Sequence, residues 1–200
     1  PDMSRADGLR LAEELCTVLS DPERIISGGF IYLTDIVFSP VWAARIGQLF
    51  ASEFRRLEPE YVVTVETKGI PLALMTAHFL NVEPVVLRRN TTVTEGSAVS
   101  INYLSGSSQR IQTMSLARRA LPPGARVLLV DDFMKGGGTA RGMREMMQEF
   151  QAEVVGLGLL IATAEPQHKL VSDYQALTVL YGVDEAAGHI DFRPGDWLQR

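Results

Sequence analysis

Apolar and polar residues change their period along this chain, and the changes mark its elements. Over residues 4–19 the apolar positions Leu9, Ala12, Leu15, Cys16 and Leu19 share one helical side, opened by Ser4 and closed at Ser20-Asp21-Pro22. FIYLTDIVF, residues 30–38, is rich in β-formers and predicts a strand or hairpin arm. Ser39-Pro40 predicts a helix start, an N-cap followed by proline in the first turn. Trp42, Ile46, Leu49, Phe50 and Phe54 then recur at helical spacing, as a stripe that faces the core or a second subunit.

From Tyr61 onward the pattern alternates between strands and helices. YVVTVE predicts a short buried strand, ETKG a tight turn, residues 70–80 a helix, and PVVLR the next strand. VLLV at 127–130 is a further strand, followed by a helix and then by the strand VVGLGLLIA. Apolar runs without period-two alternation, separated by helices, predict an α/β fold whose parallel sheet is covered on both faces. Ligands collect at the carboxyl ends of such strands, and the ETKG and DDFMKGGGT turns both sit there. Between Arg88 and Arg126 no long helical stripe appears. Residues 90–112 are polar and rich in glycine and serine, with a brief alternation at Val99, Ile101 and Tyr103. A connection this long predicts a flexible β lid over a ligand, with a solvated surface hairpin as the plainer alternative. The C-terminal GHIDFRPGDWLQR is expected to form a small hood over the base side of the pocket or a strand of it.

Charge and cysteine content narrow the classes. Two hundred residues suit one domain, and the net charge of -5 argues against a broad nucleic-acid footprint on this segment. The single cysteine, Cys16, cannot form an internal disulfide and reads as a buried small hydrophobe, so a reducing, cytoplasmic setting fits. No apolar run reaches the roughly 18 residues of a membrane span. His78, His168 and His189 do not gather near any motif and read as surface or core residues, and Trp42 and Trp197 carry no assigned role.

The chemistry concentrates in VLLVDDFMKGGGTARGMREMMQEF. Asp131 and Asp132 follow an apolar strand, and two adjacent carboxylates repel unless vicinal hydroxyls or a cation accept them. Gly136, Gly137 and Gly138 let backbone N–H groups approach a ligand, and Thr139 adds a hydroxyl at a helix start. Ala140, Met143, Met147 and Phe150 share one face behind it, so a real helix points its N-terminal dipole into the turn and favours phosphate. The Walker and dinucleotide patterns both fail. A ribose 5-phosphate fits, whereas glycines for a tight turn and acids for solubility are the purely structural alternative. Thr67, Lys68 and Gly69 end a neighbouring strand and add a place for a second anion such as pyrophosphate.

Strand, VDDFMKGGGTA and helix together resemble the phosphoribosyl pyrophosphate (PRPP) motif of the phosphoribosyltransferase (PRTase) fold. The resemblance implies that Asp131 and Asp132 hold the ribose 2′ and 3′ hydroxyls within a motif that includes Phe133 and Met134. It implies that Lys135, Gly136, Gly137, Gly138 and Thr139 cradle the 5′-phosphate. Thr67-Lys68-Gly69 is similar to the family's pyrophosphate loop. Arg88-Arg89 falls where relatives place a basic pair, one member of which can reach across a dimer.

VTEGSAVSINYLSGSSQRIQTMSLARR, with TKGIPLA and DDFMKGGGT, resembles the purine operon repressors of Gram-positive bacteria. That resemblance implies a homodimer that senses PRPP as inducer, binds operator DNA through an N-terminal winged helix, and lacks transferase activity. On this reading residues 1–200 are the PRPP-binding effector and dimerisation domain, beginning at Pro1 without the winged helix. The lid near Tyr103 closes on the ligand, magnesium can accompany PRPP, and pyrophosphate-bearing nucleotides, guanine alarmones among them, compete for the same loops. Counted from the acid pair, Lys135 stands where hypoxanthine transferases often carry an aspartate base. A protonated lysine binds phosphate but accepts protons poorly. The alternative is a purine phosphoribosyltransferase of the xanthine type, since those enzymes also lack that aspartate.

Overall fold

The computed structural model describes residues 2–90, 93–106 and 108–200. Thr91, Thr92 and Ser107 of the expected lid, and Pro1, lie outside the described residues. Helix α1 (Arg5–Leu19) opens with a reciprocal capping box between Ser4 and Asp7. Helix α3 (Pro40–Phe54) is capped by the Ser39 hydroxyl, which accepts from the Trp42 N–H. Both starts were legible from the Ser-rich punctuation ahead of apolar periodicity.

The stretch 30–38 departs from its expected strand. Only Phe30–Ile31 is extended, as β2, paired antiparallel with β1 (Ile25–Ile26). Thr34–Val37 then turns as the short helix α2. The buried side chains here are Leu33, Ile36 and Val37, spaced i, i+3, i+4, so a helical rather than an alternating face meets the core. Strand propensity lost to that burial.

The central sheet holds β3 (Tyr61–Val65), β4 (Glu83–Leu87), β7 (Arg126–Met134), β8 (Glu153–Thr163), β9 (Gln175–Asp184) and β10 (His189–Pro194). Its spatial order is β10-β9-β8-β7-β3-β4, parallel throughout except for the antiparallel β9–β10 edge. Helix α4 (Ile70–Leu80) joins β3 to β4, and α5 (Gly138–Glu149) joins β7 to β8. Two apolar layers flank the sheet. One contains Leu11, Leu15, Ile46, Phe50, Phe54 and Leu72 from α1, α3 and α4. The other contains Met143, Met146 and Met147 from α5 with Val63, Leu129 and Leu157 from the strands. Ile46, Leu49, Phe50 and Phe54 are almost wholly buried, so the α3 stripe faces the core. Each such side chain contributes about 1.5–3 kcal/mol. Cys16 is half-buried on α1, and burial pushes its thiol up to about 12.

Strands β5 (Ala98–Leu104) and β6 (Ile111–Ala117) pair antiparallel as the two arms of a hairpin, in register Ala98↔Ala117 to Leu104↔Ile111. A backbone bridge between Arg88 and Ser115 fastens it to the end of β4. The C-terminal segment forms β10 at the sheet edge, where it packs on α1, and the following turn buries Leu198 and donates Trp197 Nε1 to the Ala176 carbonyl at 2.8 Å. No helix among the described residues is long and apolar enough to cross a membrane.

Candidate functional site

The acid pair is not beyond the strand but inside it. β7 runs on to Met134, and Asp131 pairs in register with Leu159 of β8. Asp131 is buried and Asp132 is partly exposed. The Asp132 N–H donates to Asp131 Oδ1 at 2.9 Å. Burial first, then the charge of Asp132, pushes the Asp131 carboxyl well above the ordinary carboxylate range, while Arg89 opposes the shift. A buried carboxylate with so little support is expensive to ionise. It persists here beside an arginine and a glycine turn, where a ligand gains from it. Met134 belongs to the apolar layer under α5, so it packs the motif from below rather than facing a ligand. Phe133 lies on the other face, against the α1–α3–α4 layer.

The Thr67-Lys68-Gly69 turn comes to the same place from β3. Gly69 is buried, and Thr67 and Lys68 are exposed. Arg89 ties this turn to β4: its Nε donates to the Glu66 carbonyl at 3.2 Å, and its N–H donates to Glu66 Oε1 at 2.5 Å. Arg88 is directed elsewhere, towards Glu66 Oε2 at 3.3 Å and Glu95 Oε1 at 3.8 Å. The basic pair is therefore split: Arg89 stands within electrostatic reach of Asp131, while Arg88 braces the lid base.

The glycine run ends in a bare helix start. Gly137 is the α5 N-cap at φ 92°, a left-handed conformation that glycine adopts without strain, and no side chain caps the first turn. Such an end favours an anion. The lid tip comes directly onto it. A Cβ on Gly138 would sit 1.9 Å from the Leu104 carbonyl oxygen, and one on Gly142 would sit 2.9 Å from the Tyr103 Cβ. The missing side chains on α5 thus form the socket in which the hairpin rests. Tyr103 is buried there, and its hydroxyl donates to Gln112 Oε1 at 2.9 Å. Burial raises its pKa, Arg89 opposes that shift and Asp131 adds to it.

Sequence reasoning missed the segment after β8. Lys169 Nζ donates to Thr163 Oγ1 at 3.1 Å, and Thr163 Oγ1 donates to the Glu165 carbonyl at 2.6 Å. Burial lowers the Lys169 pKa, Glu165 opposes that, and Lys135 adds to it, so Lys169 and Lys135 are neighbours. The Leu170 N–H donates to the Gly136 carbonyl at 2.9 Å and holds the glycine loop from behind. The signal was available: this segment leaves the carboxyl end of a parallel strand next to the motif strand. The three histidines are all exposed. Among the described residues no three His, Cys, Asp or Glu side chains gather as a metal site.

A six-stranded, mainly parallel sheet with an acid pair, a glycine loop at a helix start and a hairpin lid defines a phosphoribosyltransferase-type protein. Residues 35–194 match the family model described as a phosphoribosyl transferase domain, and the chain belongs to that family. The adenine phosphoribosyltransferase of Saccharomyces cerevisiae shares the fold, with a TM-score of 0.71 at 19% identity over 84% of this chain and 98% of that one. More particularly, the chain is 46% identical to the purine biosynthesis transcriptional repressor PurR of Bacillus subtilis (strain 168), over 100% of this chain and 70% of the relative. It is 38% identical to the purine biosynthesis transcriptional activator PurR of Lactococcus lactis subsp. lactis (strain IL1403), over 98% and 72%.

Proposed function

We propose that this chain is the PRPP-sensing effector domain of a cytoplasmic repressor of purine biosynthesis genes. The observation that carries the reading is the packing of the Thr67–Gly69 turn against Asp131, where a Cβ on Gly69 would fall 3.0 Å from the Asp131 Oδ1, together with the uncapped start of α5. Asp131 and Asp132 take the ribose hydroxyls. The N–H groups from Gly136 to Thr139, with Lys135, take the 5′-phosphate. Thr67, Lys68, Gly69 and Arg89 take the pyrophosphate, and magnesium travels on its oxygens. A pyrophosphate-bearing nucleotide, such as a guanine alarmone, competes for the same groups.

The chain acts as a homodimer, and operator DNA is held by a winged helix outside these 200 residues. PRPP binds one arrangement of lid and dimer more tightly and shifts the population away from the operator-binding form. A tenfold loss of operator affinity needs only about 1.4 kcal/mol of differential binding. The Bacillus relative's name supports repression as the sign of the response. The site itself sets what is sensed, and the DNA-binding part sets how it is read.

Transferase chemistry is the competing reading, supported by the intact acid pair and glycine loop. Lys135 weighs against a hypoxanthine-type enzyme, because no carboxylate base follows the pair at that place, and leaves the xanthine type as the transferase to be tested. The deciding experiment has two arms. Full-length protein on its operator is titrated with PRPP and magnesium, and the chain is incubated with PRPP, magnesium and each purine. Release from the operator without nucleotide formation is the expected result. Turnover with any base overturns the regulator-only reading.

A further inference from the structure

Glu66 opens the ETKG turn, and four contacts converge on it where β3 and β4 part. Its N–H donates to the Leu87 carbonyl at 3.0 Å, the last rung between the two strands. Its carbonyl accepts from Arg89 Nε at 3.2 Å. Its Oε1 accepts the Arg89 N–H at 2.5 Å, and its Oε2 lies 3.3 Å from Arg88 Nε. The side chain thus replaces the next rung of the ladder, at the point where the chain leaves β3 to make the Thr67–Gly69 turn.

We infer that Glu66 is a positioning residue that sets the turn in register with Arg89 and thereby sets the affinity for pyrophosphate-bearing ligands. This deepens the reading of turn and arginine as the pyrophosphate site and rests on it. A mere counter-ion for the arginines needs only the guanidinium contact. Here one carboxylate oxygen takes the backbone N–H of Arg89, which fixes place, and only the other faces the Arg88 guanidinium. Arg88 also keeps Glu95 as a second partner at 3.8 Å, so charge balance at the lid base does not hang on Glu66 alone.

Two conservative variants separate position from charge. Glu66→Gln keeps the length and an acceptor for the Arg89 N–H but loses the charge. Glu66→Asp keeps the charge but falls one methylene short. Each is titrated calorimetrically with PRPP and with ribose 5-phosphate, which lacks pyrophosphate, and thermal melts check the fold. For PRPP, E66D is expected to bind about tenfold more weakly than the unchanged protein, and E66Q to stay within about threefold. For ribose 5-phosphate both are expected to match it. The reverse order, unchanged PRPP affinity in E66D, or equal losses on both ligands overturns the inference. If the unchanged protein does not prefer PRPP to ribose 5-phosphate, the pyrophosphate site itself falls and takes the inference with it. Failure of the variants alone leaves that site standing.

Discussion

Gly69 lies hard against Asp131: a Cβ on Gly69 would fall 3.0 Å from Asp131 Oδ1 and 2.2 Å from Thr64 Oγ1. A turn and a strand residue 62 positions apart in the chain (69 to 131) are therefore one packed unit. Gly69 has φ -72°, an ordinary backbone, so its requirement is space alone. Gly69→Ala is expected to destabilise the fold by about 1–3 kcal/mol through overpacking. It should also weaken PRPP binding, because relief of the clash moves the acid. Thermal unfolding and ligand titration on one sample check both; a variant with unchanged melting and affinity would contradict the contact.

Asp131 trades stability for binding. Its carboxyl pKa is raised in the fold, so the native state holds the proton more tightly than the unfolded chain does. The native state is then most favoured below the ordinary value of 3.8, and that support is lost as pH rises through the raised value. Asp131→Asn removes the titration. The variant should melt higher than the unchanged protein by a margin that opens as pH rises and closes towards acid. About 1 kcal/mol corresponds to about 2–4 °C at this chain length. PRPP affinity should fall despite the gain. Parallel melting curves at every pH would sink this account of the buried acid.

The lid rests in a socket made by missing side chains. Gly138→Ala places a methyl against the Leu104 carbonyl, a backbone atom that cannot rotate away. The hairpin tip is expected to lift from α5. Arg110, exposed at the tip, then becomes a faster trypsin site. Timed proteolysis with mass identification of the first cut reads this directly, and unchanged cleavage at Arg110 would show that the tip does not depend on the socket.

Much of this was legible because burial on both faces of a parallel sheet leaves continuous apolar runs. YVVTV and VVGLGLLIA become inner strands of the sheet and PVVL its parallel edge strand, and the Ser-Pro and acid-glycine punctuation marks the helix starts. The purine-repressor resemblance, carried by the lid and both turns, agrees with the name of the Bacillus relative, and the Lactococcus relative is named as a transcriptional activator of purine biosynthesis. Other features depend on tertiary contacts that no local pattern reports. The β-rich Phe30–Phe38 becomes mostly non-strand because only Leu33, Ile36 and Val37 reach the core. The strand VLLV extends through its acids because β8 supplies partners as far as Ala162. Arg88 and Arg89 look equivalent in sequence, and only the place of Glu66 separates their roles. Lys169 was missed because its relation to Lys135 crosses two strands.

Ribose recognition by the acid pair is the central claim, and calorimetric titration of PRPP into the unchanged protein and into the Asp131→Ala, Asp132→Ala double variant tests it most directly. The account predicts saturable binding to the first and none to the second, with circular dichroism showing the same fold in both. Equal affinity in the two proteins, or no binding to the unchanged one, would contradict it.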